Sequence, residues 1–269
     1  MPFVNREAKR NKPALEPQES NMPADLSGKR IIVTGAATGI GRATTLRVSA
    51  NGAKVAAFDV NDDDGSATIG DVNESGGDAR YWHVDVRDET AVSGAVAAAE
   101  TWLGGVDVLI HVAGVLQGAA IELDEFPEEI WDTVVDINMR GSFIVSKYVS
   151  GVMKKQGSGV IILTASGAGV TGGSSSYAYG SSKGGVHGLA LVMERNLSKH
   201  GIRINDVLPG AVDTPLKVAN VEDMHDAGGK AGNLEAKIDA LVSPDDISKV
   251  YAFLASDEAS MVKGSIHTR

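Results

Sequence analysis

A tyrosine and a lysine four residues apart, in Tyr179-Gly-Ser-Ser-Lys183, put a phenol and an ammonium on one face if this stretch is helical. A free phenol has a pKa of about 10, so roughly one in a thousand is ionised at pH 7, and shifting that to neutrality takes about 4 kcal/mol. A unit charge about 4 Å away at an effective dielectric near 20 supplies about 4 kcal/mol. The pair can therefore serve as a base for proton transfer. A surface Tyr and Lys sharing a helix face would have the same spacing.

A second group of residues suits a phosphate. Ile31-Ile-Val33 runs into Thr34-Gly35-Ala36-Ala37-Thr38-Gly39-Ile40-Gly41 and then a helical stretch. Glycines in such a turn let backbone N–H groups approach a pyrophosphate at the positive end of the helix; a plain strand-to-helix turn also uses them. The next strand ends in Phe58-Asp59, 18 residues beyond Gly41, where an acid accepts hydrogen bonds from both ribose hydroxyls of NAD and repels the 2′-phosphate of NADP. Asp62, Asp63 and Asp64 deepen that field, and no Arg or Lys occurs from residue 55 through 79. The expected cofactor is NAD. A P-loop is excluded, because Arg42-Ala43 stands where Lys-Ser/Thr is required.

The elements that must position these groups follow one rhythm: a short apolar run, a turn, then an amphipathic stretch closed by Gly. It predicts strands near residues 31–33, 54–58, 80–83, 108–112, 160–164 and 203–208, with Gly104-Gly105 and Gly201 at helix ends. Ser243-Pro244-Asp245-Asp246 opens a late helix, with Ser as N-cap and Pro at its first position. Strands alternating with helices imply right-handed crossovers: an α/β fold, a single-domain doubly wound parallel sheet with helices on both faces. Residues 1 to 26, with four of the eight prolines, read as a flexible tail before a catalytic domain over 27–269. A segment from about 215 to 241, with Gly228, Gly229 and Gly232, breaks the rhythm and reads as a substrate flap.

Composition narrows the classes. Of 269 residues 43% are apolar and 22% charged, as in folded soluble domains, and no run approaches the roughly 20 residues of a membrane span. With 25 Lys+Arg against 35 Asp+Glu, a net charge of −10 repels a nucleic-acid backbone. There is no cysteine, hence no disulfide or thiolate chemistry. No two of the six histidines form an HxH or HxxxH pair, so no metal site is expected. A charged start and the lack of cysteine suit the cytoplasm.

Taken together, order and spacing from about Leu26 onward resemble the short-chain dehydrogenase/reductase family, whose fold is Rossmann-like. Gly35 to Gly41, with Thr38, Gly39 and Ile40, matches its cofactor loop, and Tyr179-x-x-x-Lys183 its catalytic pair. Ser166, thirteen residues before Tyr179, matches the serine that orients substrate. Asn138, in Asp136-Ile-Asn138-Met, matches the asparagine that kinks a helix and holds a water in the proton path. Asp85-Val86 matches the pair at the adenine, Ala113-Gly114 the backbone against which the cofactor lies, and Pro209-Gly210-Ala-Val212-Asp-Thr214 the segment closing over the nicotinamide. The resemblance implies that Tyr179 takes the hydroxyl proton of a secondary alcohol while hydride passes to NAD, with Lys183 lowering the phenol pKa and holding the ribose. It also implies a homotetramer with helices near 127–155 and 176–200 at one interface, which light scattering tests. The Val, Ala, Leu and Met content near the expected pocket hints at an apolar, cyclic alcohol.

The chain departs from the family in two places. His111-Val112-Ala113-Gly114 stands where relatives read Asn-Asn-Ala-Gly, and His111 reads as a histidine packed at a strand end. The chain stops at Gly264-Ser-Ile-His-Thr-Arg269 just where relatives continue, which leaves a short last strand. Two further readings fit parts of the sequence. Val112 suits a catalytically silent NAD-binding protein. Gly180-x-Ser182-x-Gly184, with Asp213 and His225 downstream, formally matches the nucleophile elbow of a serine hydrolase, although no strand directly precedes it.

Overall fold

β-Branched and aliphatic runs bounded by Gly, Asn and Asp become strands because they bury both faces of a pleated ribbon. The computed structural model describes residues 24–228 and 234–268. Its strands are β1 (Arg30–Thr34), β2 (Lys54–Asp59), β3 (Asp78–His83), β4 (Val108–His111), β5 (Gly159–Thr164), β6 (Ile202–Leu208) and β7 (Gly264–His267). All pair in parallel in the order β3-β2-β1-β4-β5-β6-β7. The chain winds outward from β1 in one direction and from β4 in the other. The crevice at the strands' C-terminal ends therefore opens between β1 and β4, where such sheets bind ligands.

Alternate residues of one strand feed opposite cores. On β1, Ile32 joins one apolar cluster while Ile31 and Val33 join the other; on β5, Ile161 and Leu163 oppose Ile162. The first cluster is covered by α3 (Glu89–Leu103), α5 (Gly141–Gln156) and α7 (Tyr177–Leu197). The second is covered by α1 (Gly39–Ala50), α2 (Asp62–Glu74) and α10 (Pro244–Ala255). Each fully buried aliphatic side chain contributes about 1.5–3 kcal/mol. Two-sided cover is thus what keeps so short a set of strands buried.

α4 (Glu128–Val135) precedes α5. Between β5 and α7 lies the single turn α6 (Gly167–Val170), and α8 (Pro215–Asp226) and α9 (Leu234–Asp239) follow β6. The expected flap is thus largely helical; Gly229 and Gly232 lie outside the described residues. The expected tail lies outside them up to residue 23. Leu26, counted with that tail, is fully buried in the second cluster, and its N–H donates to the Asn51 carbonyl at 3.0 Å. A single apolar residue closing a core carries no periodic signal, which is why the expected boundary falls too late. β7 is four residues long and pairs with Asn205–Leu208 of β6. Among the described residues no helix is long and apolar enough to cross a membrane.

Candidate active site

A cavity of about 750 Å³ runs along the C-terminal ends of the strands. One end is built by the turn after β1. Gly35 takes φ +67°, and a Cβ there would meet the Ala113 backbone nitrogen at 2.7 Å, so β1 and the loop after β4 touch backbone to backbone. Thr38 stands at the N-cap of α1 with extended backbone but no side-chain cap hydrogen bond. The first-turn N–H groups therefore keep their capacity for a ligand. Gly39, Ile40 and Gly41 line the cavity beside them.

Asp59 closes the same end. One carboxylate oxygen accepts from Ala37 N at 2.9 Å; the other accepts from Val60 N at 2.8 Å and Asn61 N at 3.0 Å. Three backbone donors hold the carboxylate facing the cavity. Asp85 and Val86 line the cavity with it, together with Arg87, for which the motifs gave no expectation. The Arg87 guanidinium is engaged by Asp85 at 2.6 Å, which holds the Asp85 carboxyl below the usual range.

The other end holds the reactive pair. Ser176 caps α7, accepting from Tyr179 N at 3.3 Å, so Tyr179 stands in the first turn of the helix and lines the cavity together with Ser166. Ser166 itself caps α6, accepting from Ala168 N at 3.2 Å. Lys183 is buried on the same helix face. Its Nζ donates to the Thr164 carbonyl at 2.8 Å and lies 5.9 Å from the centre of the Tyr179 ring.

Burial dominates the electrostatics of the pair. Burial pushes the Tyr179 phenol up, with only the Ser166 hydrogen bond pulling it down. Burial also pushes the Lys183 ammonium down to about 8. The lysine is tied to a carbonyl of β5, and dehydration of the phenol outweighs its attraction.

Asn138 is the one expected site residue that does not line the cavity. It sits fully buried in a five-residue π turn, Asp136–Arg140, between α4 and α5. Its side chain accepts from Val115 N at 2.8 Å and donates to Val115 O at 2.9 Å and Ser182 Oγ at 3.0 Å. A Cβ on Gly114 would meet both Asn138 Oδ1, at 3.0 Å, and Lys183 Nζ, at 3.2 Å. Asn138 thus backs the wall that Ala113 and Gly114 form. Pro209, Gly210, Val212 and Thr214 line the cavity from the loop after β6.

A buried polar chain ties the two ends together. Thr164 Oγ1 donates to the His111 carbonyl and accepts from the Tyr251 hydroxyl, each at 2.7 Å. His111 Nδ1 and Thr34 Oγ1 share a 2.8 Å hydrogen bond, and Thr34 Oγ1 also accepts from Val112 N and Ala113 N. Dehydration, with the nearby Lys183 charge, pushes His111 down to about 3. An unfolded imidazole takes up its proton near pH 6.5 and the buried one only near 3, so in that window the unfolded state binds more protons. Stability is then lost as pH falls, by up to about 1.4 kcal/mol per unit. In His111→Asn, denaturant unfolding at pH 6.5 and 4.5 shows a slope shallower by about that amount; an unchanged slope refutes the assignment.

Ser182 lies inside α7, fully buried, donating to the Tyr179 carbonyl at 2.9 Å. It is not on the exposed strand-to-helix turn that a hydrolase nucleophile needs. Among the described residues no three His, Asp or Glu side chains converge as metal ligands would. The far wall near Tyr179 is half polar: Ser175, Lys217 and Asn220 join Leu116, Val221 and Met224. That mixed lining departs from the apolar pocket at which the Val, Ala, Leu and Met content hints. Lys217, the first cation after Thr214, was the available signal.

These residues fit a nicotinamide dinucleotide: uncapped helix donors and a glycine cradle for the phosphates, a fixed carboxylate for a ribose, and a phenol at the far end. A family model described as short chain dehydrogenase matches residues 29–225. The chain is 39% identical over 244 residues to a 2,5-dichloro-2,5-cyclohexadiene-1,4-diol dehydrogenase of Sphingobium indicum, covering 90% of this chain and 95% of that protein. It is 36% identical over 242 residues to (+)-borneol dehydrogenase 1 of Salvia officinalis, covering 89% and 91%. A crystal structure of levodione reductase superposes with a TM-score of 0.84 at 31% identity, covering 90% of this chain and 96% of that one.

Proposed function

From the premise that this chain belongs to the short-chain dehydrogenase/reductase family of nicotinamide-dependent oxidoreductases, we propose that it interconverts a secondary alcohol and its ketone with NAD, in the oxidative direction. When bound, the nicotinamide ring supplies a hydride acceptor. The chain's own residues do the rest. Tyr179 takes the hydroxyl proton at its phenol oxygen, and Ser166 hydrogen-bonds the reacting oxygen, a contact that strengthens as alkoxide charge develops. Lys183 holds the ribose and, with the Thr164 carbonyl and Asn138 behind it, a path for the proton.

One observation carries this reading: Tyr179, Ser166 and Lys183 line the same cavity as the uncapped N-terminus of α1. The similar proteins include both dehydrogenases and reductases, so the oxidative direction rests on the preference for NAD proposed below. The test is a panel of secondary alcohols, read as NADH absorbance. Dinucleotide binding with no turnover across the panel favours the silent alternative.

The Asp59 carboxylate, fixed by three N–H groups, and the neutralisation of Arg87 by Asp85 favour NAD over NADP. The expected preference in kcat/KM is at least about tenfold, or roughly 1.4 kcal/mol, and Asp59→Ser narrows it. Equal or better rates with NADP in the unaltered protein contradict the assignment. Exposed Phe143 on α5 and Leu191 and Val192 on α7 suit contact between copies in a homotetramer. The lack of cysteine and of a spanning helix among the described residues suits a cytoplasmic location.

A further inference from the structure

The substrate end of the cavity contains a cation, Lys217, with no ion-pair partner among the described residues. Lys217 stands in the first turn of α8, where Thr214 caps the helix by accepting from Lys217 N at 3.2 Å. That helix start leans over the cavity: a Cβ on Gly39 would meet Thr214 Cγ2 at 2.9 Å. Lys217 is half-buried and lines the cavity, and no carboxylate among the described residues forms an ion pair with it. Its ammonium donates instead to a neutral amide, Asn220 Oδ1, at 3.1 Å.

Asn220 is itself buried, at 4% exposure, and its Nδ2 donates to Ser175 Oγ at 2.8 Å. Ser175 immediately precedes the residue that caps α7 and lies four residues before Tyr179. A two-bond tether therefore runs from the ammonium on α8 to the loop that carries the phenol. It holds the ammonium on the substrate side without neutralising it. The carboxylates lining the cavity, Asp59 and Asp85, follow β2 and β3, across the sheet from Lys217. A half-buried cation with no counter-ion is costly, and a charge-assisted bond to an incoming anion relieves that cost.

Two anions could meet this ammonium, the pyrophosphate of the dinucleotide and an acidic group on the substrate. The pyrophosphate already has the glycine turn and the open N-terminus of α1, whereas Lys217 is tethered toward the Tyr179 loop. Resting on the function proposed above, we propose that this site selects a secondary alcohol or ketone bearing a carboxylate, with the Lys217 ammonium as its counter-ion and Asn220 and Ser175 holding that ammonium in place. The apolar wall of Leu116, Val221 and Met224 receives the hydrocarbon between the two polar ends.

The test is calorimetric titration of the full chain with cyclohexanecarboxylate and with the isosteric cyclohexanecarboxamide, with and without saturating NAD, alongside titration with NAD itself. The acid binds at least tenfold more tightly than the amide. Lys217→Met removes that preference and leaves the amide and NAD within about twofold, whereas Lys217→Arg retains it. Asn220→Ala gives an intermediate loss. Equal binding of acid and amide, including no binding of either, overturns the proposal. A Lys217→Met protein that loses affinity for NAD rather than for the acid also overturns it, by assigning the ammonium to the pyrophosphate. Failure to bind NAD, with the acid still preferred through Lys217, sinks the dehydrogenase reading and keeps the anion site. Normal NAD binding without acid preference does the reverse.

Discussion

Tyr179→Phe lowers turnover at least about a hundredfold while the dissociation constant for NAD stays within about twofold, the size expected when a positioned proton acceptor is removed. The benzyl ring remains, so packing in the first turn of α7 and the Ser176 cap survive; only the phenol oxygen is lost. Stopped-flow NADH formation and a separate binding titration distinguish the two effects. Near-normal turnover removes Tyr179 from the reaction. The pH profile of the unaltered protein carries the same information. Burial holds the phenol above its ordinary value, so the rate climbs through the alkaline range, and the Phe variant lacks that limb.

Gly41→Ala abolishes dinucleotide binding, by at least about a hundredfold. A Cβ on Gly41 would occupy the space of the Gly35 carbonyl, a backbone atom that cannot rotate away, so the turn must open to admit it. Opening it displaces the N–H groups at the start of α1 and the Gly35–Ala113 contact together. Gly94→Ala is the control. Gly94 lies exposed within α3 with nothing within 4 Å of the place a methyl would take, and there Ala gains about 0.5–1 kcal/mol of helix stability. Fluorescence titration with NADH reads the first variant and thermal melting the second. Retention of NADH binding by Gly41→Ala shows that the turn is not the phosphate cradle.

Both effects rest on features legible in the chain. The glycine turn, the strand ends and the Ser176-capped helix are local: backbone conformation, cap chemistry and a four-residue spacing are set by residues within a turn or two of one another. The alternation of short apolar runs with longer amphipathic stretches likewise dictates a parallel sheet covered on both faces, because parallel strands need crossovers and crossovers need buried faces. Asp59 was readable for the same reason, as the last residue of the second strand.

Solvation is not local. Whether the phenol's pKa moves up or down depends on how much water its neighbours exclude, which spacing along the chain does not set. Lys183 found the Thr164 carbonyl, His111 found Thr34, and Asn138 turned behind Gly114, each partner lying on a different element. The tether from Lys217 through Asn220 to Ser175 closes with a bond between residues 45 positions apart in the chain. The sequence alone determined which residue types stand at the ends of which strands. Only the tertiary structure decided which of them lose water and what replaces it, because desolvation and long-range pairing arise from neighbours that the chain brings together after its local turns have formed.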